Sequence, residues 1–245
     1  MAVKLRWMTA TFAGVLLAQG AMASITEVDY FSLAGTELID FEGLPGGTAP
    51  GVNYDALIDL DGATFGERFD GQTLGFNGNS DVLSGTPAGG SLSLVAGDPN
   101  QNLNIFEHSG SNVLTGLGPL EFPDFNAIGE GAVSILFDND QSEFGFLSVG
   151  GNLGGATFEF WGRDGSLIDT LTPMGLGTDF FGFTTTDGLQ TIAGISIWNL
   201  DPAGIGFDDI VFDVPGIQVP EPSSLFLVAL GLLGGAYVRR QGGVV

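Results

Sequence analysis

The chain contains no cysteine. This absence excludes disulfide bonds, thiol catalysis, disulfide exchange and zinc sites built from cysteine. The folded protein therefore depends on a hydrophobic core for its stability, with or without the help of a bound metal. The 20 Phe residues, together with many Val, Ile and Leu, supply enough apolar surface for such a core.

Basic residues are scarce. The chain has 6 Lys and Arg against 29 Asp and Glu. Of the acidic residues, 28 lie between Ser24 and Gln218, where Arg68 and Arg163 are the only basic residues, so this segment has a formal charge of −26. Such a surface repels nucleic acid and anionic lipid and attracts divalent cations. We therefore expect no nucleic-acid partner, and the charge is explained either by solubility or by a cation-related role.

The residues that commonly carry catalysis are also few. His108 is the only histidine, and beside Ser109 it lacks the third member of a catalytic triad. The only lysine is Lys4, so no phosphate-binding P-loop can form. Carboxylate pairs for glycoside hydrolysis remain possible among so many acids, but no spacing selects one. We therefore expect that the protein is not an enzyme.

The N-terminal segment has the pattern of a secretory signal peptide. Lys4 and Arg6 precede an apolar run over residues 7–18, and Ala21-Met22-Ala23 follows just before Ser24. This order of charge, apolar run and small residues predicts export and cleavage by signal peptidase after Ala23. The alternative is a buried N-terminal helix. We assign residues 1–23 to the signal peptide.

The middle of the chain has the pattern of an all-β domain. Ala156, Phe158 and Phe160 alternate with Thr157, Glu159 and Trp161, which is the period of a strand. Turn sequences rich in Gly, Asn and Asp separate the apolar runs, and Arg163-Asp164-Gly165 predicts a hairpin. Further strands are predicted at 38–42, 91–95, 132–137, 144–147, 166–171, 180–184, 191–198 and 207–212. Residues 24–218 therefore predict an antiparallel β-sandwich of jelly-roll type.

A tail over residues 219–245 follows the domain. Pro220, Glu221 and Pro222 form a rigid, extended spacer, residues 225–238 carry no charge, and Arg239 and Arg240 come next. A helix of these 14 uncharged residues spans about 21 Å, less than the roughly 30 Å of a bilayer core, so it crosses only with snorkelling or bilayer thinning. The Arg pair predicts a cytoplasmic end. The alternatives are a permanent weak anchor or a buried helix.

These three pieces, in this order, resemble the PEP-CTERM sorting signal of Gram-negative bacteria. The resemblance implies that an exosortase cuts near Pro220, Glu221 and Pro222 after a transient stay in the inner membrane. The protein then reaches the cell surface or the extracellular space. The family's context further implies a non-enzymatic binding or matrix module of exopolysaccharide or biofilm. Two alternatives remain: a secreted polysaccharide hydrolase or lyase, and a structural adhesin without a sugar ligand.

Two acidic clusters lie near the ends of the domain, Asp40 with Glu42 and Asp208 with Asp209. Neighbouring side chains of a regular strand point to opposite faces, so Asp208 and Asp209 are not both expected to face water. A carboxylate turned inward needs a partner or a metal. Because the first and last strands of a sandwich often pair, we expect the two clusters to meet.

Phe41-Glu42 and Asp208-Asp209-Ile210 resemble motifs of jelly-roll carbohydrate-binding-like domains. The resemblance implies a structural Ca²⁺ held by Asp40, Glu42, Asp208 and Asp209; the alternative is ordinary solvated carboxylates. Sugar binding in such folds uses exposed aromatic rings, and Trp161 and Trp198 are the only tryptophans of the exported domain. Trp161 shares its predicted face with Glu159, so we expect it to be exposed. Packing is the alternative role of both rings.

Overall fold

The structure is a computed structural model, and it describes residues 24–60 and 62–212. The predicted signal peptide and the predicted sorting tail, including its membrane helix, lie outside the described residues. Within 24–60 and 62–212, no helix has the length and apolar character to cross a membrane. The helices of this part are two single 3-10 turns, Tyr30–Ser32 and Phe125–Ala127.

The described residues of the domain form twenty strands. In chain order they are β1 (Ile25–Val28), β2 (Glu37–Ile39), β3 (Val52–Tyr54), β4 (Ile58–Leu60), β5 (Ala63–Gly66), β6 (Arg68–Phe69), β7 (Thr73–Asn77), β8 (Ser80–Ser84), β9 (Leu94–Val95), β10 (Leu103–His108), β11 (Ser111–Leu117), β12 (Ile128–Gly131), β13 (Val133–Gln141), β14 (Glu143–Gly150), β15 (Gly154–Trp161), β16 (Leu167–Leu171), β17 (Met174–Leu176), β18 (Asp179–Thr185), β19 (Ile192–Asn199) and β20 (Ile205–Phe212).

The strands form two large antiparallel sheets. Sheet A follows the order β1-β18-β14-β20-β11-β10-β3, with β2 paired to β20 and β12 to β11. Sheet B follows the order β16-β15-β19-β13-β5-β4, with β17 paired to β15. The predicted all-β sandwich is therefore confirmed, and its jelly-roll type stays a prediction. The hairpin at residues 163–165 is present, and Gly165 supplies the positive φ (80°) that the turn requires.

The core between the sheets is built largely from phenylalanine. Phe146 on sheet A lies against Phe158 on sheet B, with ring centroids 5.4 Å apart. The same ring contacts Phe181 at 5.6 Å and Phe207 at 5.3 Å. All four side chains belong to one buried cluster. Alternation along β14, β15 and β18 places these rings on one face of each strand, which is why the pattern was visible in the sequence.

A third layer covers the outer face of sheet B. It consists of the pair β6–β9 and the hairpin β7–β8. Because this layer lies on a strand that already faces the core, all eight residues of β19 are buried. Trp161 packs under it with Phe69 and Leu92 and is 1% exposed, and Trp198 packs against Leu83. The expectation that Trp161 is exposed is therefore wrong, and neither indole face is open for stacking on a sugar.

Strand β2, near the beginning of the domain, pairs with β20, the last strand. Ile39 pairs with Ile210 in the antiparallel register of β2 and β20. The very first strand, β1, pairs instead with β18. The expected meeting of the two acidic clusters is therefore produced by the second strand, since residues 40–42 follow directly from its pairing with β20.

Candidate functional site

A β-bulge in β20 orients the Asp208-Asp209 pair. The register against β14 shifts between Gly145 and Leu147, and Asp209 has a positive φ of 45°. Phe207 and Ile210 both lie in the core, three positions apart. The extra residue therefore places both aspartates between two inward positions, whereas a regular strand would turn one of them into the core. The strand is not regular here, so the expected alternation of faces does not apply to this pair, and Asp208 is only 2% exposed.

Ser111 connects Asp208 with Glu42. Its Oγ lies 2.7 Å from Asp208 Oδ2 and 2.9 Å from Glu42 Oε1. A hydroxyl carries one proton and can donate to one of the two carboxylates at a time. The two carboxylates therefore compete for this one proton.

The loop after β2 is fixed above this cluster. Phe41 is buried in the core and has a φ of 56°. The Asn112 side-chain amide donates to the carbonyl of Leu44 at 3.0 Å, and the Asn112 backbone N–H donates to Glu42 Oε1 at 2.8 Å. Phe41 thus anchors the loop from below, and β11 holds Glu42 in place beside Ser111.

Burial and like charge act together on the carboxylates. Burial raises the pKa of Asp208, and the hydrogen bond from Ser111 opposes this rise in pKa. Burial also raises the pKa of Asp209, and the charge of Asp40 adds to it. Burial and the charges of Asp209 and Asp208 raise the pKa of Tyr30 to about 12, and its hydroxyl donates to the Asp209 carbonyl at 2.9 Å.

The four predicted metal ligands do not gather into one coordination sphere. Glu42 meets Asp208 through Ser111, and Asp40 influences Asp209 through its charge. In the part of the chain that the structure describes, no three side chains of His, Asp or Glu stand closely enough to hold a metal ion. The observed oxygens fit a cation only as one carboxylate pair with a hydroxyl, and the Ca²⁺ site stays a prediction.

A second group of buried acids was not predicted from the sequence. Asp81 accepts a hydrogen bond from the Ala132 backbone N–H at 3.1 Å, and Glu130 accepts one from Ser80. Burial raises the pKa of Asp81 to about 7 and also raises the pKa of Glu130. These contacts fasten β8, one strand of the third layer, to β12 of sheet A and to Ala132, the residue before β13 of sheet B. The residues Asp81 and Glu130 are far apart in sequence and share no motif, so no local signal identified them.

A polar pocket of about 400 Å³ opens beside the third layer. Its walls are the 67–74 segment and the loop after β9, and it is lined by Glu67, Arg68, Gln72, Thr73, Leu74, Asp98 and Gln101. The carboxylate of Glu67 forms an ion pair with Arg68. Its second oxygen, Oε1, is buried and has no hydrogen-bond partner among the described residues. One sequence signal pointed here: Arg68 is one of two basic residues in a strongly acidic domain.

Trp161 supports the wall of this pocket from the inside. Its indole N–H donates to Ser196 Oγ at 3.1 Å, and Ser196 donates to Gln72 Oε1 at 2.9 Å. The other end of the Gln72 amide donates to Glu159 Oε2 at 3.2 Å, a carboxyl whose pKa burial raises to about 7. The predicted ligand residue Trp161 therefore lies behind a pocket residue, and Trp198 packs elsewhere under the hairpin.

Residues 218–241 match the family model of the PEP-CTERM protein-sorting motif. The chain carries a PEP-CTERM sorting signal. The match contains Pro220, Glu221, Pro222, Arg239 and Arg240. No curated protein and no solved structure matches the chain.

This signal establishes the protein's route. A PEP-CTERM motif marks an exported protein that is targeted to an exosortase and that has a C-terminal membrane anchor. The exosortase is therefore its processing partner. The matched residues lie outside the described part of the structure, so the geometry above concerns the exported domain.

Proposed function

We propose that this exosortase substrate is a non-enzymatic binding or matrix module of extracellular polysaccharide. Its PEP-CTERM signal carries the proposal, since the signal sends an acidic β-sandwich out of the cell. After signal peptidase and exosortase have acted, the domain reaches the surface or the surroundings of a Gram-negative cell. There a neutral polysaccharide is a more compatible partner than nucleic acid or anionic lipid, because the domain's charge of −26 repels both.

Processing is tested by changing Pro220, Glu221 and Pro222 together to Ala in a host that has an exosortase. We expect the altered protein to stay in the inner membrane at its unprocessed mass, while the native protein is released. Pro215→Ala, outside the matched residues, is the control and should be released normally. Identical mass and release of the altered and native proteins would contradict the sorting role.

Polysaccharide binding is tested on an array of neutral, anionic and cationic glycans. Retention of one glycan class by the released protein supports a binding module. Retention of none favours the alternative function, a structural adhesin without a sugar ligand. Binding to an array does not exclude turnover, so the same glycans are assayed for reducing ends.

A secreted hydrolase is the second candidate because Glu67 and Asp98 line one pocket. A glycosidase needs one carboxyl that is protonated and donates to the leaving group. Arg68 beside Glu67 favours the ionised form, which suits an acceptor better than an acid. Reducing ends that accumulate with the native protein and vanish with Asp98→Asn would establish the hydrolase and overturn the non-enzymatic role.

A further inference from the structure

Three aromatic rings form a cluster on the face of sheet A that points away from sheet B. The ring centroids of Tyr30 and Phe31 are 5.3 Å apart, those of Phe31 and Phe180 are 5.0 Å apart, and those of Tyr30 and Phe180 are 4.8 Å apart. Phe180 precedes the core residue Phe181 on β18, so its side chain points away from the core. Phe31 is 75% exposed, and the other two rings are half-buried. A ligand in solution therefore has direct access to this aromatic cluster.

A pair of glycines fixes the aromatic cluster in place. Gly145 on β14 pairs directly with Gly182 on β18, and both alternate with core phenylalanines, so they leave a hollow in the outer face of sheet A. Tyr30 fills this hollow: a Cβ at Gly145 would lie 2.8 Å from Tyr30 Cδ2, and a Cβ at Gly182 would lie 3.0 Å from Tyr30 Cα. The Tyr30 hydroxyl is held by the Asp209 carbonyl at 2.9 Å. The cluster is therefore ordered before any ligand binds, which lowers the entropic cost of binding.

Packing does not explain the position of Phe31. Tyr30 already covers the two glycines, and a side chain that is 75% exposed buries little apolar surface of its own. Contiguous apolar surface of this kind is typical of interaction sites, and aromatic rings are common there. The cluster therefore indicates a binding surface.

Two exposed carboxylates border the rings and select the kind of ligand. Asp29 precedes Tyr30, and its Oδ1 accepts from the Phe31 N–H at 3.0 Å. Asp179 precedes Phe180, and its Oδ1 accepts from the Phe180 N–H at 2.8 Å. A carboxylate has about four acceptor positions, so each can also accept from a ligand hydroxyl. A pyranose has C–H groups on its face and hydroxyls at its edge, which matches rings bordered by acceptors, whereas an anionic sugar is repelled by the acids.

The size of the aromatic cluster favours a saccharide over a protein. An aromatic side chain has about 150–250 Å² to bury, and two of the three rings are already half-buried. Together they offer less than the roughly 800 Å² that each partner contributes to a standard protein–protein interface. A second copy of the chain would also bring two strongly acidic domains together. A sugar unit needs only one or two rings, and a polysaccharide repeats the contact along its length.

We propose that the aromatic cluster is a stacking platform for pyranose units that carry no acid group, with Asp29 and Asp179 accepting hydrogen bonds from their hydroxyls. This inference rests on the proposed function, since it names the surface and the sugar class by which the exported domain holds its polysaccharide. The cluster then has the role that was predicted for Trp161 and Trp198, which are both buried.

The test measures binding of the full chain, in phosphatidylcholine nanodiscs, to oligosaccharides of glucose, galactose, mannose and glucosamine and to a polyuronate. We expect at least one of the first four to bind and the polyuronate not to bind. Phe31→Ala removes the most exposed ring and should weaken binding about tenfold, which equals about 1.4 kcal/mol. Asp179→Ala removes one acceptor and should weaken it about threefold.

Phe76→Ala is the matched control, because Phe76 is also 75% exposed and lies on the hairpin β7–β8 of the third layer. It should leave binding unchanged. Since Phe31 and Phe76 are both exposed, neither alanine variant should shift the melting temperature by more than about 2 °C. Phe31→Tyr keeps an aromatic ring and should bind like the native protein.

Each result decides between the platform and the function. If a sugar binds and Phe31→Ala binds it as well as the native protein does, the platform is wrong and the proposed function stands. If only the polyuronate binds, the sugar class is wrong, and if no glycan binds, both proposals are overturned. Self-association that Phe31→Ala abolishes, with unchanged sugar binding, would make the cluster an interface between copies and overturn the platform. Should Phe31→Ala lower the melting temperature further, Phe31→Tyr decides: native binding supports stacking, and a loss like that of Phe31→Ala overturns it.

Discussion

Ser111 Oγ lies 2.7 Å from Oδ2 of Asp208, a carboxylate that is only 2% exposed. The two residues are 97 positions apart and meet because β11 pairs with β20. The bulge in β20 turns Asp208 away from the core and towards the hydroxyl. This contact joins the two acidic clusters, because Ser111 Oγ also lies 2.9 Å from Glu42 Oε1.

Calcium is expected to stabilise the domain at this cluster. A cation that binds only the folded state at a hundredfold above its Kd adds about 2.7 kcal/mol, so the melting temperature should rise by several degrees and fall with a chelator. Asp208→Asn with Asp209→Asn should remove most of the rise. Glu27→Gln with Glu107→Gln, two exposed acids elsewhere, should leave it intact. Equal loss in both double variants would mean diffuse charge screening and no specific site.

The stability of the domain is expected to fall as pH rises, because Asp81 loses its proton. Burial raises its folded-state pKa from 3.8 to about 7, the charge of Glu130 adds to the rise, and Arg68 and the Ala132 N–H oppose it. The folded state therefore binds this proton more tightly, and the stabilisation, complete below about pH 4, is lost as pH rises through about 7. Thermal unfolding at pH 5 and pH 8 should differ less in Asp81→Asn than in the native protein. The exposed Asp70→Asn is the control, and an unchanged difference in Asp81→Asn would contradict this role.

The pair of Glu67 and Arg68 is expected to matter more than the other ion pair. Arg68→Met leaves Glu67 charged and buried, and we expect a loss of about 2 kcal/mol in urea unfolding, below the ~3–5 of a fully buried pair because Arg68 is 27% exposed. Arg68→Met with Glu67→Gln should lose less than Arg68→Met alone. Arg163→Met removes the partly exposed pair with Asp140 and should cost under about 1 kcal/mol. Equal losses in the two Arg variants would rule out a special role of Glu67.

The phenylalanine core is expected to be intolerant of truncation at Phe146. This side chain is fully buried and contacts aromatic rings from both sheets. Phe146→Ala should lower the free energy of unfolding by about 3–5 kcal/mol, the usual cost of removing a buried ring. Phe76→Ala, at a side chain that is 75% exposed, should change it by less than about 0.5 kcal/mol. Denaturant unfolding with equal midpoints for the two variants would contradict the two-sheet core.

Sequence patterns predicted the strands that carry the core between the sheets. Strands were expected at 132–137, 180–184 and 191–198, and the structure has β13, β18 and β19 there. In these segments, apolar residues either alternate with polar ones or form a continuous run. The pattern in the sequence therefore indicates which side chains are buried. Strands between 52 and 84, and those at 103–117, were missed. The strands between 52 and 84 are only two to five residues long, which is too short for a period of two to be recognised.

The candidate sites divide in the same way. The closeness of Glu42 to Asp208 was expected from the pairing of strands near the two ends of the domain. The shared hydroxyl of Ser111 and the bulge at Asp209 were not, since both depend on registers between distant strands. Trp161 was expected on an open face, because one strand's alternation cannot reveal a third layer that covers the sheet.

The sequence by itself determined the PEP-CTERM sorting signal, the acidic charge and the all-β class. These properties depend on composition, on local order or on a period of two, and each can be seen within a short window of residues. Only the tertiary structure decided which acids are buried, that β20 has a bulge at Asp208 and Asp209, and that Glu67 has one buried oxygen without a hydrogen-bond partner among the described residues. Burial and hydrogen bonding depend on which distant strands come together, and no short window of the chain contains both partners.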